Sequence, residues 1–150
     1  MVLQADFQPN ATLPQRNVHP VCGGQNVSPR LHWSGAPKGT RSFALTAFDP
    51  DAPGGGFWHW IVYDIPPSTE ILPENSGARP SSGTGVFARN DFEDRRYDGP
   101  CPPSGRAHRY VFTLYALDVA RIRPASGEDF AAATRGHVLA EAKLTGRYGR

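Results

Sequence analysis

Cysteine occurs only twice and methionine once in this chain of 150 residues, which also has no long apolar run and no block of like charge. Each shortage removes a class of protein. Cys22 and Cys101 lack the CxxC spacing of a Cys-rich zinc site, and sequence leaves two thiols or one disulfide equally open. The longest apolar stretch, residues 57–63, is far too short to span a bilayer as a helix. Residues 1–8 lack a basic segment followed by an apolar one, which points to the cytoplasm, or to the periplasm if a signal peptide has been removed. The formal charge is +2, and Arg89, Arg95 and Arg96 alternate with Asp91, Glu93, Asp94 and Asp98. No basic stripe of the kind that grips nucleic acid results. No GxSxG elbow, HExxH motif or P-loop is found, and no cofactor or metal is implied.

What is abundant is punctuation: 16 glycines and 15 prolines without a repeat. That composition favours many turns between short strands, hence a mainly β fold, and the length suits a single domain over residues 1–150. Residues 31–33, 42–48 (SFALTAF), 57–65 and 108–117 (HRYVFTLYAL) read as strands, the later ones apolar on both faces and so covered on both sides. Pro50 stops the second of them, since it has no N–H for a ladder. Residues 66–105 form a long irregular stretch, interrupted by a strand piece at 86–88, and loops of this length usually carry function. Near the end, Ser126 with Asp129 resembles a capping box, and Val138, Leu139 and Ala142 at helical spacing predict a helix over residues 130–144, with Gly146 as its stop.

Three segments gather polar groups at strand ends. In DPDAP, Pro50 and Pro53 stiffen a turn carrying Asp49 and Asp51. In FWHWI, alternation predicts Phe57, His59, Ile61 and Tyr63 on one face and Trp58, Trp60 and Val62 on the other. In residues 97–110, Gly99 and the prolines around Cys101 and Pro102 predict a rigid loop whose N–H groups approach a ligand. On the strand that follows, His108 and Tyr110 share a face and Arg109 points towards a carboxylate such as Asp51. The plain alternatives are a surface turn whose aspartates bond backbone N–H groups and a satisfied core histidine.

The strings DPDAP, FWHW and YDGPCPPSGRAHRY, in that order and spacing, resemble the signature segments of the phosphatidylethanolamine-binding family, and the flanking sequence resembles its bacterial, Raf-kinase-inhibitor-like branch. The resemblance implies a large antiparallel sheet packed on a smaller one, with a few peripheral helices. It also implies a small-anion pocket at one end of the sheet, built from Asp49, His59, His108 and Tyr110 with residues 99–103 as a wall. Where eukaryotic members have a tryptophan two residues before the first pocket histidine, this chain has Phe57. Their extended C-terminal helix is missing, so gating by that segment and Raf kinase binding are not carried over. A homodimer, and a protein partner regulated through the pocket, are the interactions the resemblance implies.

A phosphorylated head group needs donors and positive charge in a dry site, which two histidines, a tyrosine and loop N–H groups can supply. Asp49 then serves to orient or charge an imidazole, and ligand affinity is expected to fall as pH rises through the histidine range. The competing expectation is an enzyme in which Asp49, His59 and His108 act as acid and base, with Cys101 or Ser104 as nucleophile. Two histidines and an aspartate are also a conceivable zinc set.

Overall fold

Strand β3 (Ser42–Asp49) is the middle of the molecule, and seven of its eight residues are buried on one face or the other. In the computed structural model, which describes residues 1–81 and 83–150, β3 lies between β4 (Phe57–Ile65) and β7 (His108–Leu117). The edges of this five-stranded antiparallel sheet are β6 (Val86–Phe87) beside β4 and β8 (Val138–Tyr148) beside β7. A second sheet joins β1 (Val2–Ala5), β2 (Leu31–Ser34) and β5 (Ile71–Leu72), with β2 in the centre.

The two sheets face each other across one apolar layer. Leu3, Leu31, Trp33 and Leu72 of the small sheet meet Phe43, Leu45, Trp60, Phe112 and Leu114 of the large one. Trp33 and Phe43 bridge the layer edge to face at 5.4 Å. On the other face of the large sheet, Ala44, Ile61, Tyr63 and Leu117 lie under Ile122 and Phe130, the latter from the helix α1 (Gly127–Thr134). Each fully buried large apolar side chain contributes roughly 1.5–3 kcal/mol, so both faces of β3 and β7 are held strongly.

Two expectations are corrected here. The C-terminal run is not helical throughout: α1 ends at Thr134, and residues 138–148 form the edge strand β8. Gly136, at φ +79°, turns the chain out of the helix. Beyond it Ala140, Ala142, Leu144 and Gly146 alternate inward with period two. Gly146 therefore stops no helix; a Cβ there would come within 2.6 Å of the Leu13 side chain. Ser126 does stand at the N-cap, but its side chain makes no capping bond.

The second correction concerns β4, which does not alternate evenly. Phe48 pairs with Trp58 and Ala47 with Trp60, so His59 is an extra residue, a β-bulge. Trp58 consequently packs with Ile61 and Tyr63 on the α1 side, while Trp60 and Val62 enter the inter-sheet core.

Candidate functional site

The ends of β3, β4 and β7 that lie next to the bulge open onto a pocket of about 220 Å³. Asp49 is the last residue of β3, and its burial is possible because both carboxylate oxygens are used. Oδ1 accepts the Asp51 backbone N–H at 2.8 Å, an Asx turn made stiff by Pro50. Oδ2 accepts Nδ1–H of His108 at 2.7 Å. His108 opens β7, where the antiparallel register fixes its Cα opposite Tyr148.

His59 is oriented differently. Its Nδ1 donates to the Asp98 carbonyl at 2.7 Å, since a carbonyl oxygen only accepts. Its own backbone carbonyl receives the Asp98 N–H at 3.1 Å and the Asn90 amide at 3.2 Å. Burial pushes the His59 imidazolium below the ordinary histidine range, against the opposing pull of the Asp98 carbonyl and of the Asp49, Asp98 and Asp91 charges. Tyr110 sits 5.2 Å from the His59 ring, and burial, followed by the Asp49 charge, drives its ionisation upward, so the phenol keeps its proton.

The remaining lining is apolar. Phe57 packs between His59 at 5.0 Å and Phe92 at 4.8 Å, and Ala52, Pro53, Pro102 and Pro103 complete the rim. Cys101, also on the lining, is bonded to Cys22, which ties the proline-rich wall to the 3₁₀ turn Pro20–Cys22. The disulfide closes the choice left open by the sequence, and it removes Cys101 as a thiol nucleophile. Ser104 is exposed and does not line the pocket. Among the described residues, no group of three His, Cys, Asp or Glu side chains is placed to hold a metal ion.

Several sequence-predicted residues lie outside the pocket. Gly99 does not offer its N–H to a ligand; that N–H goes to the Asn26 side chain at 2.7 Å. Its missing Cβ serves packing, because one would sit 2.1 Å from the Asn17 carbonyl. Asp51 and Arg109 form a two-pronged pair at 2.8 and 3.1 Å beside the rim, and that hydrogen bonding holds the Asp51 carboxyl well below the usual range. Trp58 is on the opposite face of the sheet, against Phe48 and beneath Gly127.

Sequence reasoning missed the support behind His59. Asp98 is fully buried, and its carboxylate accepts from Asn26 at 3.0 Å, Asn90 at 2.8 Å and Arg96 at 3.0 Å. Phe92 was missed too, although a lone aromatic among acidic and basic residues was a usable signal. His19 stacks on its ring at 4.9 Å.

Two facing antiparallel sheets with a small, mostly apolar pocket at the strand ends define a β-sheet pocket protein. More particularly, the chain belongs to the phosphatidylethanolamine-binding protein family, whose model matches residues 4–149. It is 41% identical over 155 residues to the UPF0098 protein YbhB of Escherichia coli, covering 98% of both chains. The crystal structure of E. coli YbcL, described as a new member of the mammalian PEBP family, superposes with a TM-score of 0.93 at 36% identity, covering 99% of this chain and 98% of that one. A Mycobacterium tuberculosis protein named putative lipoprotein LppC is 41% identical over 130 residues, 85% of this chain and 62% of that protein.

Proposed function

We propose that this protein binds a small oxyanion, such as the phosphate of a phosphorylated head group, in the pocket between Asp49, His59, His108 and Tyr110, and does so without catalysis. The observation that carries the reading is the 2.7 Å contact between Asp49 and His108 at the base of an apolar-walled pocket. Asp49 fixes a proton on Nδ1 of His108, so a second proton on Nε2 makes an imidazolium that donates to a ligand while the carboxylate balances its charge. The Tyr110 hydroxyl adds a neutral donor. At about 220 Å³ the cavity suits a head group and not acyl chains. A non-catalytic role is favoured because, among the described residues, no Ser, Thr or free Cys lines the pocket to be activated by the His108–Asp49 pair.

The test is a titration with inorganic phosphate and phosphoethanolamine, following the imidazole signals of His59 and His108 by NMR. Saturable shifts at both rings, weakened at least ~10-fold by Asp49→Ala and fading as pH rises, support the reading. Silence at both rings overturns it. A homodimer, checked by sedimentation, and a protein partner responding to pocket occupancy remain part of the proposal. No helix among the described residues is long and apolar enough to cross a membrane. The disulfide, together with the lipoprotein name of one relative, favours an oxidising compartment over the cytoplasm.

A further inference from the structure

The two histidines in the pocket present opposite faces of hydrogen-bond chemistry. His59 spends its Nδ1 proton on the Asp98 carbonyl, and that carbonyl cannot swing away. The Asp98 carboxylate is held by Asn26, Asn90 and Arg96, and the Asp98 N–H bonds back to the His59 carbonyl. Nε2 is therefore the uncommitted nitrogen of a ring that lines the pocket, and in the neutral ring it is an acceptor. Burial favours the neutral ring against the opposing pull of Asp49, Asp91 and Asp98; His108 and Tyr110 are the other titratable groups that share its pocket. Among the described residues, no Lys or Arg lines the cavity. The imidazolium available at His108 already faces Asp49, so a dianion would enter a site with little net positive charge.

We propose that the pocket selects a phosphoryl monoanion that carries its own proton: its P–OH donates to Nε2 of His59, while its charged oxygens accept from Nε2–H of His108 and from the Tyr110 hydroxyl. The proposal rests on the reading of this pocket as an anion site and adds which anion. It makes His59 the residue that sets specificity and Asp98 a positioning residue, acting through the tautomer of His59. A fully ionised phosphomonoester, or a phosphodiester without a P–OH, would put oxygen lone pairs against the Nε2 lone pair.

Two probes of equal heavy-atom count separate the possibilities on the unaltered protein: monomethyl phosphate, and methyl methylphosphonate, in which a methyl group replaces the P–OH. At about pH 5.5, below a second phosphate ionisation near 6, monomethyl phosphate is expected to bind at least ~10-fold more tightly. The advantage should shrink as pH climbs through that ionisation. In the complex, the ¹⁵N shift of His59 Nε2 should remain that of an unprotonated, hydrogen-bonded nitrogen. Equal affinity for both probes, or a protonated Nε2 in the complex, overturns the proton requirement while leaving the anion pocket standing. Binding of neither probe removes the anion reading itself.

Discussion

The pocket has two walls built by different means. One wall, carrying Asp49, His108 and Tyr110, is made of strand ends, and backbone ladders place its polar atoms: β3 pairs with both β4 and β7, and β7 with β8 along its whole length. The other wall, with Phe92, Cys101, Pro102 and Pro103, belongs to the long segment between β6 and β7 and has no ladder at all. It is held by the Cys22–Cys101 bond, by the His19 N–H on the Pro100 carbonyl at 3.0 Å, by Arg150 on the Pro102 carbonyl at 2.8 Å and by the buried Asp98 network. Chemistry that needs sub-ångström placement is kept on the sheet. The apolar wall, whose task is to exclude water, is pinned by a few strong points.

The largest effect should come from cutting the strongest of those points. The disulfide spans 79 residues of sequence, and the loop-entropy account gives a closed loop of that size up to about 4–5 kcal/mol. Reduction, or a paired Cys22→Ala and Cys101→Ala change, should lower the thermal midpoint by several degrees or more. Phosphate shifts at His59 and Phe92 should weaken more than those at His108. A uniform loss across both walls would show that the loop wall is not an independent unit.

A smaller break isolates the polar network. Asp98→Ala removes a fully buried acceptor shared by the Asn26 and Asn90 amides and by the half-exposed Arg96 guanidinium. The expected cost is about 2–4 kcal/mol in denaturant unfolding. Asp98→Asn, which keeps an acceptor oxygen and the same backbone carbonyl, should cost less than half of that. Equal losses in the two variants would place the effect in the charge and second acceptor oxygen of the carboxylate, which both variants remove.

Sequence made the strand wall readable and the loop wall much less so, for a physical reason. Residues 42–49, 57–65 and 108–117 carry their own β signal, and Pro50 marks where β3 must stop, so the placing of Asp49 and His108 at strand ends follows from local rules. The bulge at His59 has no local signature. It appears only when β3 and β4 are paired, and it sends Trp58 and Trp60 to opposite faces. The C-terminal strand shows the same limit from another side. Alanine-rich residues 138–144 satisfy a helical spacing and a period of two alike, and only the long open edge of β7 decides between them. Gly99 and Asp98 depend on partners 72–82 residues away in sequence, Asn26 and Asn17, which no window along the chain brings together.

The smallest expected effect compares the two histidines directly. His59 has a folded-state pKa below the 6.5 of a free imidazole because burial disfavours its charge. The unfolded chain therefore binds a proton there before the native protein does. Neutral His59 costs nothing above about pH 6.5, and stability is lost as pH falls from that value towards the lowered native one, by at most about 1.4 kcal/mol per pH unit for this group. His59→Gln keeps an amide donor for the Asp98 carbonyl but does not titrate, so its stability should fall less steeply over the same acid range. Urea midpoints of the two proteins measured from about pH 7 down to about pH 5 decide the matter. Parallel slopes would mean that His59 takes up its proton over the same pH range in the native and unfolded states. Below that range the acceptor nitrogen would be lost from the pocket, and His59 and His108 would both be donors.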